Sequence, residues 1–251
     1  MRSFAWIAAL ICASAALGAL PPRMDDSQFE LTVFAEQPDI WTPTGIAVDE
    51  FGRIFVIESN THLPKKDYPG PKTDRIKVFT ENDGKMASSA IFAEGLSMAM
   101  NLAFATNGDL FVVQRNSVIV LRDKDRDGKA EAPQTILSLE TRGDFPHNGF
   151  DGLAIGPDGW IYVGMGENLG LEFTIKGKGG PILHGDQGGH IFRCRMDGST
   201  PERFATGFWN PYSLAFDELG NLFAMDNDPD GRPPCRILHI IRGGNYGYQF
   251  K

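Results

Sequence analysis

The chain has 251 residues, a formal net charge of −8, 29 glycines and 16 prolines. No basic cluster is longer than Lys65-Lys66, which excludes sequence-general nucleic-acid binding, because that needs concentrated positive charge. The glycines and prolines are spread along the chain, a pattern of many short strands joined by turns.

Residues 1–20 read as a secretory signal peptide. Arg2 supplies the positive start, Phe4 to Leu17 is apolar or small, and small residues at Ala13, Ala15 and Ala19 precede Pro21-Pro22. Ile11 before Cys12 argues against a lipid anchor. The run is too short for a stable membrane span, and no later segment is apolar enough for one. The expected location is periplasmic or secreted. Cys194 and Cys235 are compatible with pairing in an oxidising compartment, and equally with two half-buried strand positions. The segment 29–37, FELTVFAEQ, reads as a strand placed ahead of the first repeat.

Residues 21–251 then carry a repeat. Four stretches align on a turn glycine: TGIAVDEFGRIFVIES (44–59), NLAFATNGDLFVVQR (101–115), GLAIGPDGWIYVGMGE (152–167) and SLAFDELGNLFAMDND (213–228). Each is a short apolar strand, a tight turn closed by Gly52, Gly108, Gly159 or Gly220, and a second alternating strand. A third strand runs to a second turn near Gly84, Gly128, Gly198 and Gly243, and fourth strands are expected at 90–96, 134–140 and 203–208. Four strands per unit of roughly fifty residues predict an all-β propeller, a fold that closes with about four to eight blades. About four blades are present, near 40–97, 98–140, 147–207 and 208–251. They are expected to form an open arc from a longer chain, leaving outer faces uncovered.

Chemistry is expected in the loops that gather at one channel mouth. His147, just before a first strand, is a candidate general base, with Asp144 or Asp151 to orient it; a loop histidine bonded to a backbone carbonyl fits equally. Asp123, Asp125 and Asp127, followed by Gly128 and by Glu131 at the ninth position, match the start of a calcium loop. Gln134 stands at the twelfth position, so a solvated acidic turn is the alternative. Asp226-Asn227-Asp228-Pro229 packs carboxylates and carbonyls into one short loop, a second candidate calcium holder.

The stretch PHNGFDGLAIGPDGWIYVGMGEN from Pro146, GFWNPYSLAFDELGNLFAMDNDPDG from Gly207, and GGNYGY from Gly243 resemble the soluble quinoprotein glucose/sorbosone dehydrogenase family. They resemble in particular a branch of planctomycetes and related bacteria described as membrane-bound dehydrogenases. That resemblance implies a six-bladed propeller holding pyrroloquinoline quinone above calcium, with a sugar or alcohol as substrate. It implies His147 as general base, Trp209 and Asn210 beside the cofactor, and Asp226, Asp228 and Pro229 around the ion. Helical-repeat or cytochrome domains farther along a parent chain are also implied. Here Trp209 stands where the family usually has arginine. The alternatives are a calcium-dependent lactonase-type hydrolase, with Glu58, Asn101, Asn210 and Asp226 around one ion, and a propeller that only binds glycans or proteins.

Overall fold

The computed structural model describes residues 25–227 and 234–249. The expected signal peptide, Asp228 and Pro229 lie outside the described residues. The chain divides into two units, Met1–Val33 and Phe34–Lys251. In the first, the Phe29 amide reaches the Asp26 carbonyl and the Gln28 amide reaches Asp26 Oδ1 at 2.9 Å, closing a local turn. No strand forms over residues 29–37, against the sequence expectation. Among the described residues none of this segment pairs in a ladder, and backbone groups without a ladder partner do not make a strand.

The second unit holds every strand among the described residues, in antiparallel sheets. The first sheet is β1 (Pro43–Val48), β2 (Ile54–Glu58), β3 (Asp74–Asn82) and β4 (Lys85–Leu96). The second is β5 (Ala99–Phe104), β6 (Leu110–Gln114), β7 (Ser117–Leu121) and β8 (Gln134–Thr141). The third comprises β9 (Phe150–Ile155), β10 (Trp160–Met165), β13 (Gly189–Arg195) and β14 (Glu202–Phe208). Between its second and third strands the chain leaves to form β11 (Phe173–Gly177) and β12 (Leu183–Gly185), which extend the second sheet beyond β8. The fourth sheet, among the described residues, is β15 (Pro211–Phe216), β16 (Leu222–Asp226) and β17 (Arg236–Ile240).

Each first hairpin closes identically: the glycine amide bonds the carbonyl three residues back, at 3.1 Å for Gly52 and 3.0 Å for Gly108, Gly159 and Gly220. Their φ values run from 74° to 85°, a region that side chains with a Cβ avoid. Gly84, Gly128, Gly198 and Gly243 also have positive φ.

The first strands pack against one another, β1 on β5, β5 on β9 and β9 on β15, which makes them the inner strands of a propeller. Glycine permits the approach. A Cβ on Gly152 would stand 2.4 Å from the Pro211 carbonyl oxygen, and one on Gly45 would stand 2.8 Å from Leu102. The core lies between the sheets. Phe55, Ile57, Ile76, Leu102 and Val112 fill the space between the first and second, and Phe111, Val113, Phe150, Val163 and Phe192 that between the second and third. Ile46 and Val48 on the first sheet, and Met225 and Ile237 on the fourth, are exposed. Cys194 is buried in β13, where burial pushes its thiol up to about 12, and Cys235 is exposed just before β17. No helix among the described residues is long and apolar enough to cross a membrane.

Candidate functional site

The end of each second strand carries a device that the sequence did not reveal. The register aligns Glu58 with Arg75, Gln114 with Ser117, Met165 with His190 and Asp226 with Arg236. Glu58 Oε1 accepts the Trp41 amide at 2.8 Å and Oε2 pairs with Arg75. Gln114 accepts the Ser97 amide at 2.8 Å and donates to Ser117 Oγ at 3.1 Å. Asp226 Oδ1 accepts the amides of Trp209 (3.0 Å) and Asn210 (2.9 Å), and Oδ2 accepts from Arg236 at 2.7 Å. These side chains anchor the segment entering each inner strand. Glu58 and Asp226 are thereby engaged by arginines and amides. Burial nonetheless pushes the Asp226 carboxyl above its ordinary range.

The third sheet breaks the pattern. Met165 brings no acceptor, and among the described residues neither ring nitrogen of the buried His190 meets a partner at hydrogen-bond distance. The incoming loop 143–149 is held instead by Arg115, whose Nε donates to the Phe145 carbonyl at 2.8 Å and whose carbonyl accepts the Phe150 amide at 2.8 Å. Gly149 is required there, because a Cβ would stand 2.4 Å from the Arg115 carbonyl oxygen.

This loop presents His147, half-buried, with the Phe145 ring edge-on at 4.6 Å. Its Nδ1 lies 3.0 Å from Nε2 of His62, on the loop after β2. Burial, and then the charge of His62, hold the His147 imidazole below its ordinary value. His62 is placed by Asp74, a buried residue that sequence reasoning missed. Asp74 Oδ1 accepts the amides of Asn60 (2.6 Å) and Thr61 (2.8 Å), and Oδ2 accepts from Thr61 Oγ1 (2.9 Å) and the Ala99 amide (2.8 Å). Asp144 is exposed, and its charge acts on Arg115. Asp151 is wholly buried on β9, where Oδ1 accepts the Gly152 amide and Oδ2 has no partner.

A polar network continues from His147. Asn148 donates to Glu167 Oε1, whose Oε2 has no partner. In the amide orientation that satisfies it, Asn210 donates to the carbonyls of Trp209 (2.9 Å) and His147 (3.2 Å) and accepts from Trp209 Nε1 (3.1 Å). Trp209, Asp226, Asn227, Arg236, Tyr246 and Tyr248 border a cavity of about 190 Å³, with Trp209 and Tyr248 edge to face at 4.9 Å. His147, Asn210 and Asp226 are thus linked. Asn101 is apart, donating weakly to the Tyr212 carbonyl at 3.4 Å, and Glu58 is committed to Arg75.

On the β7–β8 turn, Asp123, Asp125 and Asp127 each offer an oxygen, all within 4.8 Å of one another. Asp123 Oδ2 accepts the Gly128 amide at 3.1 Å while its Oδ1 is buried without a partner, and Glu131 caps the Lys124 amide at 2.7 Å. This set suits a hard cation.

Inner strands, anchored mouths and loop-borne polar groups define a β-propeller of the glucose-dehydrogenase type of fold. The chain is similar over 84% of its length to a protein from Thermus thermophilus provisionally described as an oxidoreductase (glucose dehydrogenase), with 22% identity, a TM-score of 0.59 and 65% of that chain covered. It is similar over 75% of its length to the PQQ domain of pyranose dehydrogenase from Coprinopsis cinerea, with 14% identity, a TM-score of 0.54 and 44% of that chain covered. A protein provisionally described as a gluconolactonase matches over 85% at 15% identity, with a TM-score of 0.52 and 63% of that chain covered. The chain therefore spans less than two thirds of each. The model of one sequence family, described as a domain of unknown function (DUF7133), matches residues 24–238, and the chain belongs to that family. No curated protein matches the sequence.

Proposed function

We propose that the chain is an exported, carbohydrate-directed propeller enzyme, sugar or alcohol dehydrogenase-like, in which His147 removes the proton from a substrate hydroxyl while a dissociable two-electron acceptor takes the hydride from its carbon. The observation that carries this reading is the His62–His147 contact at 3.0 Å, on a loop mouth and beside a polar network. An imidazole held below its ordinary value is neutral near pH 7, and so is ready to accept a proton. The signal-peptide pattern over residues 1–20 supports export.

Pyrroloquinoline quinone, a tricarboxylate, does not fit the described residues. Arg75 is engaged by Glu58 and Arg236 by Asp226, while Arg115 is buried with Nη2 unpartnered. Asp151 and Glu167, buried with Oδ2 and Oε2 unpartnered, offer no cation to a tricarboxylate. Asp228, Pro229 and Arg232 of the remaining loop lie outside the described residues. The Asp123–Asp127 turn is the calcium candidate, fastening β7 to β8.

The engagement of Arg75 and Arg236 by carboxylates favours one second reading, hydrolysis of a neutral sugar lactone by water that His147 deprotonates. The test supplies the full chain with calcium, pyrroloquinoline quinone and a redox dye against a panel of aldoses and polyols, and in parallel with sugar lactones. Substrate-dependent dye reduction lost in His147→Asn supports the dehydrogenase-like reading. Lactone opening lost in the same variant transfers the proposal to hydrolysis. Activity equal in wild type and variant, or none on either panel, overturns it.

A further inference from the structure

We propose that His62 is the positioning partner of His147, the two imidazoles forming one proton-sharing unit that leads from His147 Nε2 to His62 Nδ1. The inference rests on the reading of His147 as a base. The ring planes are only 18° apart, and with the nitrogens at 3.0 Å the centroids are 5.3 Å apart. That combination places the rings edge to edge along the contact, the arrangement of an imidazole–imidazole hydrogen bond. The contact uses one nitrogen of each ring. Among the described residues neither outer nitrogen, His147 Nε2 or His62 Nδ1, has a protein partner.

For His147 to take a proton at Nε2, its own proton must stand on Nδ1, and a half-buried donor there needs an acceptor. His62 Nε2 is that acceptor, and its own proton then stands on Nδ1. When the substrate O–H bond breaks, its electron pair stays on oxygen and an Nε2–H bond forms on His147. The proton on His147 Nδ1 crosses to His62 Nε2, and the proton on His62 Nδ1 leaves to water. The pair ends neutral, with its two protons exchanged for the opposite tautomers. Exchange with water at the outer nitrogens resets it.

The surroundings favour this role for His62 over a carboxylate partner. Asp144, in the same loop as His147, acts on Arg115, and Arg115 is turned to the Phe145 carbonyl. Glu167 is bonded to Asn148, and Asp74 is saturated by the 60–61 turn and Ala99. Asp74 also fixes the chain two residues ahead of His62, so the contact joins the first and third sheets through a rigid turn.

The experiment is nitrogen-15 NMR of the histidine-labelled full chain, as wild type, His62→Gln and His62→Leu. In the wild type His147 is expected to carry its proton on Nδ1. His62→Gln, whose side-chain oxygen still accepts, retains that tautomer. His62→Leu reverts to Nε2–H, and the midpoint of His147 moves in that variant because its partner ring is gone. On a responsive substrate, kcat/KM is expected to fall about tenfold in His62→Leu, its acid limb following the midpoint of His147. A wild-type His147 protonated on Nε2, or a tautomer and midpoint unchanged in His62→Leu, overturns the proposal. If no substrate responds, the reading of His147 as a base fails by itself, and the NMR result still decides whether the two rings form one unit.

Discussion

The hydroxyl of Tyr212, on the inner strand of the fourth sheet, shares its one proton between the carbonyl of Thr44 on the inner strand of the first, at 2.8 Å, and the Met100 carbonyl on the second, at 3.0 Å. One side chain thereby fastens three inner strands. Burial pushes its phenol up to about 12, so it remains a donor throughout the physiological range. Tyr212→Phe removes the donor and leaves the ring. The expected cost is about 1–3 kcal/mol, for the lost shared bond and the carbonyls it satisfied. Equilibrium urea unfolding checks it, and a change below about 0.3 kcal/mol would show that the hydroxyl fastens nothing.

The anchoring carboxylates give a second expectation. Asp226 is buried, pairs with Arg236, and also accepts two backbone amides. Asp226→Ala leaves the amides unsatisfied and the arginine without its partner, with an expected loss of about 3–5 kcal/mol. Asp226→Asn keeps an acceptor for the amides and is expected to lose less. Thermal melts of the two variants rank them, and equal losses would assign the whole effect to the ion pair.

Calcium is expected to act on stability. The three oxygens of Asp123, Asp125 and Asp127 lie close together with one buried lone pair unmet, a cost that a bound cation relieves. Saturation at about a hundred times Kd adds about 2.7 kcal/mol, a rise on the order of 5–10 °C in Tm. Asp125→Ala should abolish the rise without lowering the calcium-free Tm. An equal calcium response in that variant would move the ion elsewhere.

Stability is expected to peak at mildly acid pH. Burial, then the charge of Arg203, pushes the His190 imidazole down to about 3 from 6.5, so the unfolded chain binds the extra proton and stability is lost as pH falls from 6.5 towards 3. Burial raises Asp151 well above its ordinary value, with the charge of Asp226 adding to it, and burial also raises Glu167. Their folded forms keep the proton longer, so that stability is full below the unfolded value and is lost as pH rises through the folded one. Each group contributes at most about 1.4 kcal/mol per pH unit. Urea midpoints from pH 4 to 9 should trace a dome, with the acid limb flattened in His190→Leu and the alkaline limb in Asp151→Asn. Unchanged limbs in those variants would contradict the assignment.

Much of this architecture is legible in the sequence, because its strongest constraints are local. A glycine at positive φ closes each hairpin, so Gly52, Gly108, Gly159 and Gly220 mark the repeat through their flanking strands alone. The hairpin β11–β12 was not legible. Its residues look like a glycine-rich loop, and its strand character comes from pairing with β8 on the neighbouring sheet. Segment 29–37 shows the converse, with apolar alternation and no partner to convert it. In the candidate site His147 stood out by its loop, whereas His62 lies 85 positions away and meets it only through packing between sheets. The arginines facing Glu58 and Asp226 had a readable signal, since each stands near the start of a third strand.

The most direct measurement is steady-state kinetics of His147→Asn on whichever sugar, polyol or lactone the wild type turns over best, with binding of that substrate followed separately. Loss of a positioned general base predicts a fall of about 10²–10⁴-fold in kcat with substrate affinity within a few fold of wild type. A variant that keeps kcat within about threefold would contradict the central claim that this histidine takes the proton.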